Sequence, residues 1–166
     1  MDMNYLVEIK QILTQARQKS YQAVNSAMVE AYWLIGKRIV EEEQNGKERA
    51  DYGKEIIKNI SEEMTKEFGK GFSERTLREF RQFHITFPNL IENQLNITDN
   101  SKQNIWRTPF AKLSWSHFQR VLRVSDADAR MYYLKEAASQ NWSIRTLDRN
   151  ISTLYYQRLL SSPRKD

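Results

Sequence analysis

The chain has 166 residues, 40% of them hydrophobic and 11% aromatic, with a formal net charge of +5 and a pI of about 9.4. That length suits one domain with a single core, and the mild basic balance permits nucleic acid as a partner without demanding it. Zero cysteines exclude disulfides and thiolate metal or redox sites. No apolar run nears the ~18–20 residues that span a bilayer, and Met1-Asp2-Met3-Asn4 does not open a signal peptide, so the sequence reads as cytoplasmic. Five glycines and three prolines, set among long runs of Glu, Lys, Gln, Arg, Leu and Ala, predict an all-α protein.

Tyr5, Leu6, Ile9, Ile12, Leu13 and Ala16 mark a first amphipathic helix with a narrow, almost heptad-like stripe. Residues 22–44 read as a second, longer helix that is apolar on two sides. Val24, Ala27, Met28, Ala31, Leu34, Ile35 and Ile39 form one side; Val29, Trp33, Gly36 and Val40 form the other. A helix of that kind is a central scaffold. Gly36, which costs ~1 kcal/mol in a helix interior, is there to let another helix approach. The run Glu41-Glu42-Glu43 reads as solvated surface. Asp51-Tyr52-Gly53 opens a third helix with Ile56, Ile57, Ile60, Met64 and Phe68 on its buried face.

Gly69-Lys70-Gly71 then makes a tight turn, and Ser73 caps a helix by accepting a backbone N–H of its first turn. Leu77, Phe80, Phe83 and Phe87 fall on one arc of this helix, with Arg75, Arg78, Arg81 and Gln82 on the opposite one. Helix, short glycine turn and capped helix is the helix-turn-helix pattern. The planar fork of arginine suits phosphate and guanine edges. Glu74 and Glu79, at helical spacing from these arginines, make a solvated ion-paired face the competing reading.

Pro88 stops the arginine helix. Residues 89–108 read as the longest loop, with room for a short β-hairpin wing within 89–112, and Trp106 is the tryptophan placed to be exposed there. From Asn100 to Ser125 there are five cations (Lys102, Arg107, Lys112, Arg120 and Arg123) and no acid. A helix follows with Ser114 or Ser116 as cap and Trp115, Phe118, Val121 and Leu122 inward, and His117 fixes hydrogen bonds at its start. The Asp126 region caps the next helix, which carries Met131, Leu134, Ala137 and Ala138 at helical spacing. A last helix is predicted over 144–160, and 161–166 is a polar tail outside a domain of residues 1–160.

Trp142-Ser143-Ile144-Arg145-Thr146-Leu147 echoes Phe72-Ser73-Glu74-Arg75-Thr76-Leu77 at a spacing of 70 positions. Each reads as an aromatic staple, a serine cap, an exposed arginine and a first core leucine. The pattern fits either two helix-turn-helix units or two ordinary well-capped helices. In the later helix Arg145 and Arg149 lie opposite Ile144, Leu147, Ile151 and Leu154.

Trp33-x-Ile35-Gly36-Lys37, Tyr52-Gly53, Phe68-Gly69-x-Gly71-Phe72-Ser73, Leu113-Ser114-Trp115-Ser116-His117 and Trp142-Ser143-Ile144-Arg145-x-Leu147 together resemble the N-terminal domain of the YhcG family, over about residues 4–160. The resemblance implies a helical, winged helix-turn-helix-like DNA-binding module. In that family it precedes a nuclease domain of the PD-(D/E)XK type in bacterial DNA-processing or defence proteins. No PD-(D/E)XK centre has a home in these residues, since Glu8-Ile9-Lys10 lies on an amphipathic helix with neither strand nor partner aspartate.

The sequence therefore predicts a non-catalytic protein without metal or cofactor, with DNA, as duplex, for its partner. Arg75, Arg78, Arg81 and Gln82 form the leading contact, Arg145 and Arg149 a second, and Lys102, Arg107 and Lys112 reach phosphates. The alternative is an assembly module that forms a homodimer or docks a nuclease domain or other protein. The stripe of the first helix and the two-sided second helix favour it.

Overall fold

The computed structural model describes residues 4–46, 51–91, 110 and 112–162. Among these the protein is all-α, with seven helices and no strand. They are α1 (Asn4–Asn45), α2 (Tyr52–Phe68), α3 (Glu74–Thr86), α4 (Trp115–Leu122), α5 (Ala127–Ser139), α6 (Ile144–Ser152) and α7 (Tyr155–Ser161). The predicted wing falls mainly on residues 92–109, outside the described ones, as does Trp106.

The first two predicted helices are one. α1 runs unbroken for 42 residues, because nothing between Ala16 and Ala23 breaks a helix: the segment has no proline or glycine and is rich in Gln, Lys, Arg and Ala. Only its second half joins the bundle. Val29, Trp33, Gly36 and Ile39 are buried, whereas Tyr5, Ile9, Ile12 and Leu13 stay 60%, 58%, 67% and 52% exposed. The predicted central scaffold uses the Val29–Trp33–Gly36 side, while Leu34 on the other side remains exposed.

α3 crosses α1 at Gly36, where a Cβ would overlap the Phe80 carbonyl. Only glycine admits this approach, as the sequence predicts. Around the crossing, Tyr32 stacks on Phe80 at 4.3 Å, and Trp115 of α4 meets Phe80 and Phe83 edge-on or tilted at 5.3 and 5.1 Å. Trp33 donates its indole N–H to the Phe87 carbonyl at 2.8 Å, tying α1 to the end of α3. Pro88 follows, and the helix ends at Thr86 as expected.

α2 buries Ile56 and Ile57, but Phe68 is 61% exposed rather than part of the buried face. Its exposed last turn leads into the glycine turn, where Gly69 and Gly71 take φ of 80° and 116°, values that glycine alone adopts freely. In the C-terminal half, α4, α5 and α6 pack around Phe118, Val121, Tyr133, Leu134, Ala137 and Leu147. Met131 turns outward and Tyr133 takes the core position instead. The predicted 144–160 helix breaks in two at Leu154, which sits in the left-handed region at φ 53°. There the Tyr133 hydroxyl accepts the Tyr156 N–H at 3.2 Å, fixing the start of α7.

Candidate nucleic-acid interface

The two echoed segments fold alike. Ser73 and Ser143 adopt nearly the same extended backbone, φ −63° and −66°, ψ 156° and 163°. Each side chain accepts the backbone N–H three residues on, from Thr76 at 3.2 Å and from Thr146 at 3.1 Å. Each serine hydroxyl also meets the threonine hydroxyl at 3.0 Å. A positive-φ residue, Gly71 or Asn141, stands two places before each cap. Leu77 and Leu147 are both fully buried. Each capped helix closes a three-helix group, α1–α2–α3 or α4–α5–α6. The spacing of 70 residues thus carries a repeated cap geometry, each time on the last helix of a group of three.

The arginines on the two capped helices differ in their surroundings. On α3, Arg78 bonds Glu74 at 2.9 Å, and Arg75 lies 3.7 Å from Glu79. Arg81 is held by both carboxylate oxygens of Glu43 at 2.8 Å in a half-buried pair. Gln82 donates to the Thr86 hydroxyl at 3.1 Å. Glu79 also accepts from Gln119 of α4 at 2.8 Å, so its carboxylate braces two units together. The acidic end of α1 is therefore more than solvated surface: Glu43 anchors α3, and Glu42 accepts the Tyr52 hydroxyl at 3.0 Å. Sequence spacing cannot show these partners, which lie 38 and 40 residues away for Arg81–Glu43 and Glu79–Gln119.

On α6, Arg145 and Arg149 are exposed and have no ion-pair partner among the described residues. The one acid of that helix, Asp148, is taken by Arg120 of α4 at 2.8 Å. Arg123, three residues beyond Arg120, is exposed at the C-cap of α4. Lys112 is exposed just before α4. Lys102 and Arg107 lie outside the described residues. Arg120, from the same cationic run, is occupied by Asp148 rather than open to solvent ligands.

His117 joins the start of α4 to the start of α6. Its Nδ1 accepts from the Ser114 N–H and faces the Ser114 hydroxyl at 2.9 Å, while Nε2 donates to the Trp142 carbonyl at 2.8 Å. This is a neutral imidazole, and burial pushes its pKa below the ordinary 6.5, with the Trp142 carbonyl pulling weakly the other way. The histidine thus fixes hydrogen bonds at a helix start, as predicted, and orients the Trp142-Ser143 cap. His84 is half-buried and packs edge-on against Trp33 at 4.7 Å.

Among the described residues, no group of three or more His, Asp and Glu side chains could hold a metal ion. No helix there is long and apolar enough to cross a membrane.

The family described as the DUF1016 N-terminal domain matches residues 8–158. The chain belongs to this family. A protein of Escherichia coli (strain K12) named "Putative nuclease YhcG" is 36% identical over 167 aligned positions, which cover 91% of this chain and 44% of that protein. The chain spans less than half the length of that curated relative and aligns as a DUF1016 N-terminal domain. No solved structure matches.

Proposed function

We propose that residues 1–160 form a single, non-catalytic DNA-binding domain of a bacterial nuclease-associated protein in the cytoplasm. In this reading α6 supplies the main contact with duplex DNA. The observation that carries it is the pair of exposed arginines, Arg145 and Arg149, with no acidic partner among the described residues, on the capped helix of a helix-turn-helix-like unit. Arg123 and Lys112 add exposed cations, and Lys102 and Arg107 reach phosphates. Arg75, Arg78 and Gln82 of α3 form a second, weaker contact. The exposed pairs with Glu79 and Glu74 are worth less than ~1 kcal/mol and open readily to a phosphate. Arg81, clamped by Glu43, holds α3 in place at the edge of that second contact.

Fluorescence anisotropy of a labelled duplex, titrated with salt, tests this. About six phosphate contacts, from Lys102, Arg107, Lys112, Arg123, Arg145 and Arg149, give a slope of log K on log salt near roughly −5. Arg145→Glu with Arg149→Glu should weaken binding more than tenfold, and Arg75→Glu with Arg78→Glu a few-fold, with helicity unchanged. Absence of binding to duplex, single strand and RNA at low salt would sink the proposal.

A second reading is assembly, as a homodimer or as a dock for a nuclease domain or other protein. A specific observation favours it: the apolar stripe of the first half of α1 has no partner within the described residues.

A further inference from the structure

Two features on one side of α1 await an occupant. At 100° per residue, Tyr5, Ile9, Ile12, Leu13, Ala16 and Ala27 share an arc that continues into Leu34 and Ile35. It lies opposite the Val29–Trp33–Gly36 face that the bundle buries. Its first half is an arm of about 20 residues, ~30 Å long, with large side chains in water. Its second half is one wall of an apolar groove of about 690 Å³ between α1 and α2. The groove floor is Leu34, Ile35, Ile56, Ile60 and Met64, and Arg38, Glu42 and Glu55 stand at its rim.

We propose that arm and groove are the two halves of one isologous interface. The arm of one copy lies antiparallel along α1 of a second copy, with Tyr5, Leu6 and Ile9 in the α1–α2 groove, and the second arm does the same in return. A two-fold axis near Gln22 sets the register. Leu13 then faces Ala31, Ala16 faces Met28 and Ser20 faces Val24, so a larger side chain meets a smaller one at each step. Ile9 reaches Ile35 at the groove.

Area agrees with this pairing. Of the groove's 12 lining residues, Ile39, Ile56 and Leu77 are already buried, so with a similar number from the arm each copy brings about 20 residues. A standard specific interface uses about 20–30 residues a side and buries roughly 1,600 Å² in total. Two arms paired only with each other would leave the grooves empty and use half of that surface. This inference rests on the assembly reading and is independent of DNA contact.

The full chain, followed by sedimentation from micromolar to a few hundred micromolar, should form dimers. Ile12→Glu on the exposed arm and Ile60→Glu in the half-buried groove should each weaken the dimer at least tenfold, with helicity retained for Ile12→Glu. Because the chain has no cysteine, introduced ones report position cleanly. Leu13→Cys mixed with Ala31→Cys should form a disulfide under mild oxidation, and Leu13→Cys alone should not. A chain that stays monomeric throughout overturns the homodimer and this geometry together. A dimer that links Leu13→Cys to itself, or that ignores Ile60→Glu, overturns the arm-in-groove geometry and leaves a homodimer standing.

Discussion

The two capped helices, α3 and α6, start from the same six-residue pattern and the same serine geometry, yet the protein treats their arginines oppositely. Seventy residues after Arg78 stands Asp148, and seventy after Glu79 stands Arg149. On α3 every arginine meets a carboxylate, one of them, Glu43, brought in from α1. On α6 the lone carboxylate is drawn off by Arg120 of α4, and two arginines face solvent. A cap motif starts a helix; the partners that the tertiary packing supplies decide whether its cations brace the fold or remain available to a ligand.

The sharpest way to break this contrast is at the α1–α3 crossing. Gly36→Ala forces a methyl into the Phe80 carbonyl, which must move as backbone. Overpacking there should cost about 3 kcal/mol or more, read as a large fall in the thermal midpoint. A mild effect would mean that α3 is not welded to α1.

Arg81→Ala comes next. It strands the half-buried Glu43 carboxylate and removes two charge-assisted hydrogen bonds, an expected loss of about 2 kcal/mol in urea denaturation. Arg145→Ala, with no partner to strand, should change stability by less than ~0.5 kcal/mol. Equal losses would erase the distinction between a bracing and an available arginine.

The caps probe what the units share. Ser73→Ala and Ser143→Ala each remove one N-cap bond of nearly identical length, so each should cost about 1 kcal/mol. Equality within a few tenths supports the repeated cap geometry, and one silent cap argues against it.

The smallest effect is one that only the second unit has. His117 is held neutral with its pKa below 6.5, so the unfolded chain binds the extra proton more readily. Its contribution is complete above about pH 6.5 and declines as pH falls from there through the lowered folded value. Denaturation at pH 7.5 and pH 5 should show this loss, and His117→Gln should flatten that component of the pH dependence.

Local rules made much of the fold legible. Ser73 and Ser143 were readable as caps, Pro88 as a stop and Gly36 as a close crossing, because each acts through its own backbone or within one helical turn; the structure chose Ser114 over Ser116, and Asp126 within the run from Ser125 to Asp128. Leu77, Phe80, Phe83 and Phe118 were readable as core from periodicity alone. The misses have a common physical origin. Phe68, Met131 and the stripe from Tyr5 to Ala16 are apolar at helical spacing, but periodicity shows which side of a helix is apolar and not whether another element covers it. The break at Leu154 depends on the Tyr133 hydroxyl, contributed by another helix.

The candidate site divides in the same way. The sequence by itself determined an all-α chain and two capped helices with outward arginines, since those follow from composition, spacing and capping. Only the tertiary structure decided which arginines are occupied. Glu43 reaches Arg81 because α1 crosses α3 at Gly36, and Asp148 is removed from α6 because α4 presents Arg120. An ion pair depends on distance in space, and those distances were set by packing between segments tens of residues apart.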